Sequence, residues 1–175
     1  MDTWQVTLAV DVLAWGTCHA GTGYLAHRLG ARRLQRDGWL LRPRPHEVTG
    51  VWYRRRLRIH LWKDRLPEAG DVFPGGISKR ELPSTADDGL ELFVRETRRA
   101  ELAHWWALAC GPVFALWNPP VASVLLVTYG VVVNLPFIAV QRYNRFRALA
   151  LLRRRTTRDG WHERAGPQPG AGPPA

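Results

Sequence analysis

The chain has 175 residues, a formal net charge of +10 and an isoelectric point of about 10.9, with arginine supplying almost all of the positive charge. The mean hydropathy of -0.24 resembles that of a soluble protein, but it averages an apolar third of the chain with a very basic remainder. This length fits one domain and excludes two independent units. The cysteines, Cys18 and Cys110, stand in apolar stretches without metal-site spacing, which argues against a zinc motif.

An apolar stretch at the start of the chain predicts a first membrane helix over about residues 4–26. A cleaved secretory signal is the alternative, but Asp2 stands where a signal peptide carries positive residues. Asp11 and His19 interrupt the apolar pattern. Because an acidic residue inside a bilayer turns toward protein or water, we expect Asp11 either to contact a partner in the bundle or to belong to a site.

The middle of the chain, residues 27–99, is strongly basic. Twelve Lys or Arg residues stand against three Asp or Glu residues between Arg28 and Arg65. The stretch VWYRRRLRIHLW at 51–62 places apolar residues near helical spacing among arginines, which predicts a basic amphipathic helix on an anionic membrane surface. Nucleic-acid binding is the rival explanation for such charge. Since the basic segments flank membrane helices, we expect no nucleic-acid partner.

The longest apolar run covers residues 102–140, which contain no Asp, Glu, Lys or Arg. A helix needs roughly 20 apolar residues to cross a bilayer core about 30 Å thick. The run is long enough for two crossings, and the prolines at 119 and 120 mark the break. We therefore predict a transmembrane hairpin with crossings at 102–117 and 120–140. A buried hairpin of a soluble protein is the alternative, but such a hairpin should show a polar stripe at helical period.

Arginine distribution sets the expected orientation. The basic middle segment and the eight arginines after Gln141 both belong in the cytoplasm by the positive-inside rule. The predicted fold is therefore all-α: a small multi-pass integral membrane protein with an N-terminal transmembrane helix, cytoplasmic basic amphipathic helices and a C-terminal transmembrane hairpin. Residues 1–157 form its single domain, the N-terminus lies outside, and the Gly/Pro-rich residues 158–175 form a disordered tail.

Two polar blocks flank the apolar hairpin: ETRRAELAHW at 96–105 and QRYNRFR at 141–147. On a helix, Glu101 and His104 share a face, so the carboxylate could orient the imidazole as a general base requires. The alternative is an interfacial histidine at a polar boundary. The arginines of the second block suit phosphate or carboxylate recognition, or act only as a positive stop. Because the two ends of a hairpin are adjacent, we expect Glu101 and His104 to lie close to Gln141, Arg142 and Asn144.

The two blocks, at this separation, carry a resemblance. ETRRAELAHW, the apolar hairpin and NLPFIAVQRYNRFR at 134–147 resemble the glycosyl-4,4'-diaponeurosporenoate acyltransferase family of bacterial carotenoid pathways. LWKDRLPEAG at 61–70 is similar to a further segment of that family, and the resemblance covers about residues 38–155. It implies transfer of a fatty acyl group to the sugar hydroxyl of a lipid-soluble glycosylated polyene at the bacterial cell membrane. The expected partners are that acceptor, an acyl donor and membrane lipids.

The resemblance frames a hypothesis about the site. His104 would remove the hydroxyl proton, Glu101 would orient it, and Asn134, Asn144 or an arginine would stabilise the oxyanion. The predicted substrate-binding residues are Glu96, Arg99, Asn134, Gln141, Arg142, Tyr143, Asn144, Arg145 and Arg147. The chain has no G-x-S-x-G motif, so we expect direct transfer from acyl-CoA or acyl-carrier protein, without metal or cofactor. The alternative function is a non-enzymatic membrane protein that binds lipid or scaffolds pathway enzymes.

Overall fold

The computed structural model describes residues 2–66 and 87–165, with side chains through residue 66 and from 88 to 158. Within these ranges, four α-helices carry the fold: α1 (Thr3–His27), α2 (Val51–Arg56), α3 (Asp87–Ala109) and α4 (Pro120–Ala165). Short 3-10 turns lie at Ala31–Leu34, Pro45–Glu47, Ile59–Leu61, Lys63–Arg65 and Gly111–Leu116. No strand occurs in the described ranges, so the predicted all-α class is confirmed there.

Helix α4 is 46 residues long and continues from the apolar segment into the arginine-rich one. It begins at Pro120, because a proline at the first helical position loses no intrahelical hydrogen bond. Within the described residues it supplies the one helix, Pro120–Arg158, that is long and apolar enough to cross a membrane. Only 22% of its most apolar window is buried in the protein, whereas the core helix of a soluble protein would be mostly buried.

The hairpin forms, but its first arm differs from the predicted crossing at 102–117. Helix α3 packs along α4 in the largest interface between elements, and it ends at Ala109. A 3-10 turn over Gly111–Leu116 follows, because Pro112 lacks the N–H that would continue the helix. The α-helical part of the predicted crossing, residues 102–109, rises only about 12 Å. The prediction of a continuous transmembrane helix at 102–117 is therefore wrong.

Helix α1 has the expected bounds to within a residue, and it packs against α3. Asp11 at its centre is buried and accepts hydrogen bonds from Trp117 Nε1 and Asn118 Nδ2, both at 2.8 Å. Of the two roles expected for Asp11, the structure shows the contact within the bundle. The carboxylate ties α1 to the turn of the hairpin.

A close contact joins α1 to α4 deeper in the bundle. Trp15 stacks on Phe114 with ring centroids 4.8 Å apart, and a Cβ added to Gly130 would meet the Trp15 ring at 2.6 Å. Glycine at this position lets the indole ring lie directly on the α4 backbone.

Large apolar side chains remain exposed on the outside of this bundle. On α1 they are Trp4, Val6, Leu8, Val10, Val12, Leu13, Tyr24 and Leu25, and on the apolar first part of α4 they are Val121, Val124, Leu125, Tyr129, Val132 and Leu135. Soluble monomers rarely expose contiguous apolar patches beyond a few hundred Å². This surface suits contact with lipid.

Residues 28–66 form a cap over the arginine-rich part of α4. Tyr53 and Ile59 of the cap pack with Val140, Tyr143 and Phe146 in one buried cluster. The cap also contains the predicted amphipathic helix, which is shorter than expected. Helix α2 ends at Arg56, because Arg58 adopts a left-handed conformation with φ of 46°, and two 3-10 turns replace the rest.

The C-terminal end of α4 extends further than composition predicted. Residues 158–165, assigned above to a disordered tail, are helical, since no proline occurs between Pro136 and Pro167 to stop the helix. Residues 166–175 of the predicted tail lie outside the described residues.

Candidate active site

The two polar blocks meet at the end of the hairpin, around Glu101. This carboxylate is fully buried, and its two oxygens accept hydrogen bonds at 2.6 Å from Arg142 Nη1 and Arg145 Nη1. Trp105 Nε1 donates a third, at 3.2 Å. Of the predicted proximities, that of Glu101 to Arg142 is confirmed. Two guanidinium groups share one buried carboxylate, an arrangement that holds α3 and α4 in a single register.

A second carboxylate, Glu47 of the cap, completes this ionic cluster. Arg142 donates to its Oε1 from Nε at 3.0 Å and to its Oε2 from Nη2 at 2.6 Å. The Tyr53 hydroxyl also donates to Glu47. The carbonyl oxygens of Leu40 and Arg42 accept further hydrogen bonds from Arg142. Sequence reasoning missed Glu47 and Tyr53, because they lie 95 and 89 residues from Arg142 and no local spacing connects them.

The geometry of the two arginines does not fit the predicted contact with a substrate phosphate. Both terminal nitrogens and the Nε of Arg142 already donate to protein acceptors. Arg145 has no exposed surface, and its terminal nitrogens donate to Glu101 and to the Leu41 carbonyl. A guanidinium has five N–H donors and no acceptor, so a ligand at Arg142 would have to displace these bonds, and Arg145 is too deeply buried for a ligand to reach. In this arrangement Arg142 and Arg145 join α4 to α3 and to the cap.

Glu47 titrates far from the usual range of a glutamate. Burial alone would raise its pKa, but hydrogen bonds from Arg142 and Tyr53 stabilise the carboxylate and hold the pKa at about 2. A depressed folded-state pKa contributes stability that is complete above the unfolded pKa and is lost as the pH falls.

We therefore expect the protein to lose stability between about pH 4.5 and pH 2, as protons bind to Glu47 in the unfolded chain before the folded one. Unfolding midpoints measured across this range should fall steeply for the native chain and less steeply for Glu47→Gln. Equal slopes for the two proteins would contradict the assignment of this carboxylate as the acid-sensitive contact between cap and hairpin.

His104 lies three residues beyond Glu101, and its partner is on α4. Its Nδ1 is 3.0 Å from Asn134 Oδ1, and its ring stacks on Phe137 at 4.7 Å. Asn134 is fully buried, and its Nδ2 donates to the Gly130 carbonyl at 2.9 Å, which fixes the amide orientation. The oxygen of the amide therefore faces the imidazole. Since that oxygen only accepts, this contact requires the proton on Nδ1, and in the neutral form of the ring Nε2 then carries the lone pair.

This contact changes the predicted roles in the pair. The hydrogen bonds described for Glu101 go to Arg142, Arg145 and Trp105, whereas Asn134 contacts the imidazole, so Asn134 fits the orienting role that was predicted for Glu101. The partner expected for the buried Asn134 amide is found in the Gly130 carbonyl and His104. Because both ends of that amide are engaged, Asn134 does not fit the predicted role of an oxyanion donor.

The remaining predicted substrate residues are divided between buried and exposed positions. Glu96 and Arg99 form an ion pair on α3 and are partly buried. Gln141 is 1% exposed, and Tyr143 lies beneath the exposed Arg147, whose guanidinium carbon is 5.4 Å from the ring centre. Asn144 is half-buried. Of this set, the half-buried and exposed side chains are the ones a substrate could reach without rearrangement.

A cavity of about 890 Å³ opens between the cap and α4, within the usual size range of small-molecule sites. Its aromatic walls come from Trp39, Trp52, Trp62 and Trp105. On α4 it reaches from Leu135 to Arg142, across the boundary between the apolar and polar segments. Among the described side chains, no group of three His, Cys, Asp or Glu residues is placed to hold a metal ion.

Comparison with known proteins matches this same region. The sequence profile of the glycosyl-4,4'-diaponeurosporenoate acyltransferase family fits residues 37–154. The chain belongs to this family. The resemblance predicted from the two motifs is confirmed, and the matched range contains the ionic cluster, His104 and the cavity. It begins after α1, so the family match does not extend to the first helix.

Relatives named glycosyl-4,4'-diaponeurosporenoate acyltransferase occur in Staphylococcus aureus. The protein of strain USA300 is 30% identical over 107 residues, which are 61% of this chain and 64% of the relative. The protein of strain MRSA252 is 31% identical over the same length. The alignment spans less than two thirds of these relatives. No solved structure matched the chain.

Proposed function

We propose that this protein transfers a fatty acyl group to the sugar hydroxyl of a glycosylated carotenoid-type lipid. Family membership supports acyl transfer, and the names of the Staphylococcus aureus relatives supply the class of acceptor. The observation that carries the chemistry is the contact between His104 and Asn134, because it orients the imidazole and puts the lone pair on Nε2. A general base of this kind contributes roughly 10²–10⁴-fold to a rate.

The proposed step is direct. Nε2 of His104 takes the proton of the sugar hydroxyl while the oxygen of that hydroxyl attacks the acyl carbonyl carbon. The tetrahedral intermediate collapses, the bond from carbonyl carbon to sulfur of a thioester donor breaks, and the proton passes from the imidazole to the departing thiolate. An ester and a free thiol result, and no electrons are exchanged with a further reactant. The lipid-soluble acceptor and the acyl chain of the donor can meet in this way where the hairpin leaves the membrane.

We further propose that the protein is embedded in the bilayer with the cap on the cytoplasmic side. The exposed apolar side chains of α1 and of the first part of α4 support lipid contact. The arginines of the cap and of the C-terminal part of α4 support a cytoplasmic location for both. The ionic cluster then lies at the membrane surface, since α4 changes from apolar to basic at Gln141.

The function is tested by expressing the full chain in a host that makes the glycosylated carotenoid but lacks the acylation step. The expected result is a pigment whose mass increases by that of one fatty acid less a water molecule. The chain carrying His104→Gln serves as the control at equal protein level. Unchanged pigment mass with correctly inserted protein would contradict the proposed reaction and favour the non-enzymatic lipid-binding alternative.

A further inference from the structure

The cavity between the cap and α4 has one apolar end and one basic end. Leu135, Ile138, Ala139 and Arg142 line it from α4, and their i, i+3, i+4, i+7 spacing places them on one face of that helix. The distance from Leu135 to Arg142 along the axis is about 10 Å at 1.5 Å per residue. The wall therefore changes from hydrocarbon-like to polar within this distance, as an amphiphilic ligand requires.

The polar end has positive charge available for a ligand, and it does not come from Arg142. Three arginines, Arg42, Arg44 and Arg142, line the cavity with one carboxylate, Glu47. Arg142 and Glu47 neutralise each other in the buried ionic cluster. Arg42 and Arg44 are exposed, and neither guanidinium has an ion pair within the described part of the chain. The uncompensated charge at the cavity thus belongs to these two side chains.

From this charge and shape we infer that the cavity binds a fatty acyl chain whose head group carries phosphate, with Arg42 and Arg44 contacting the phosphate and the face of α4 that includes Leu135 contacting the chain. Arginine guanidinium groups form charge-assisted hydrogen bonds with phosphate oxygens. An uncharged glycosylated polyene offers those arginines no anion. This inference rests on the proposed function, because it assigns the cavity to the acyl donor of that reaction rather than to the acceptor.

Two sources of this chemistry exist, a phosphopantetheine thioester such as palmitoyl-CoA and an anionic phospholipid. The test uses the full chain in phosphatidylcholine nanodiscs and measures binding of radiolabelled palmitoyl-CoA, with empty discs subtracted. Arg42→Gln/Arg44→Gln should raise the dissociation constant at least ten-fold, since two charge-assisted contacts are lost. The matched control, Arg153→Gln/Arg154→Gln, removes two exposed arginines elsewhere on α4 and should change it less than two-fold.

Binding of different ligands distinguishes a phosphopantetheine thioester from an anionic phospholipid as the occupant of the cavity. Palmitate without phosphate and CoA without an acyl chain should each bind more weakly than palmitoyl-CoA. Phosphatidylglycerol is also added to the discs as a competitor of palmitoyl-CoA. If it lowers palmitoyl-CoA binding by the native chain but not by the Arg42→Gln/Arg44→Gln variant, the site is assigned to a phospholipid head group. Equal affinity in the two double variants, or palmitate binding as tightly as palmitoyl-CoA, would overturn the inference. Binding is measured without an acceptor, so a failure of the proposed reaction leaves this result interpretable.

Discussion

Replacing Glu101 with glutamine is expected to lower the free energy of unfolding by about 3–5 kcal/mol, because it leaves two buried guanidinium groups without their shared counter-charge. Arg142 retains Glu47, but Arg145 loses its sole ion pair among the described residues. The carboxylate and the Arg145 side chain have no exposed surface, so water cannot compensate the charge. For a chain of this size the loss corresponds to a fall of roughly 6–20 °C in the unfolding midpoint.

Thermal unfolding of the purified protein in detergent, followed by near-ultraviolet circular dichroism, measures this effect. Asp64→Asn is the matched control, because it removes a carboxylate that is 64% exposed and pairs with Lys63 at the surface. Surface pairs contribute about 0–1 kcal/mol, so its midpoint should barely move. Adding Arg145→Gln to Glu101→Gln should recover part of the loss, since it removes the uncompensated charge. Similar midpoints for Glu101→Gln and Asp64→Asn would contradict the ionic cluster.

The features that the sequence predicted correctly are those that local pattern determines. The apolar run after Glu101 and the prolines at 119 and 120 specify a hairpin, and a hairpin brings its two ends together. The contact between Glu101 and Arg142 follows from that geometry alone. The family was recognisable because both motifs flank this hairpin at a fixed separation.

The features that the sequence predicted incorrectly depend on contacts between distant segments of the chain. The basic stretch at 51–62 has helical spacing, yet Arg58 leaves the helix so that Ile59 can enter the core with Phe146. Trp62 Nε1 then donates to the Leu57 carbonyl at 2.8 Å, which stabilises the reversal. Periodicity cannot show such a break, because the free energy that favours it comes from burial elsewhere in the chain.

The end of α3 is a different case, because a local signal was present. Gly111 and Pro112 stand inside the predicted crossing at 102–117, and the helix ends just before them. Uniform hydropathy suggested a continuous helix, whereas proline chemistry required a break. Composition and backbone chemistry conflicted at this position, and backbone chemistry determined the structure.

The sequence left two explanations open for the arginine block at 142–147: recognition of phosphate or carboxylate groups, or a positive stop at the membrane. The structure combines features of both. Arg142 and Arg145 are buried and bind the carboxylates of α3 and the cap, while Arg147 is exposed. A positive stop at a membrane surface needs charge but no defined partners. The two buried arginines have defined partners, so they fix the cap on the hairpin and thereby shape the cavity. In the arrangement proposed above, substrate recognition falls to other side chains, among them Arg42 and Arg44.

The largest expected effect on activity comes from His104→Gln, which should lower the acylation rate roughly 10²–10⁴-fold. Glutamine preserves polarity and approximate size, but its amide cannot accept and return the hydroxyl proton. The variant should insert and accumulate normally, because its side chain still can donate to Asn134 Oδ1. The rate is measured as acylated pigment formed per unit of membrane protein. His60→Gln, which changes an exposed histidine of the cap, is the matched control and should keep the native rate.

Asn134→Leu separates orientation from proton transfer at the same site. It removes the acceptor that fixes the Nδ1 proton, so the imidazole can adopt the other tautomer and rotate. The expected rate lies between those of the native chain and His104→Gln, with the apparent affinity for the acyl donor unchanged, because Asn134 does not line the cavity. A native rate in His104→Gln would exclude His104 as the base. His46 would then be the histidine to replace, since it lines the cavity beside Glu47 and its ring centre lies 5.0 Å from that of Trp52.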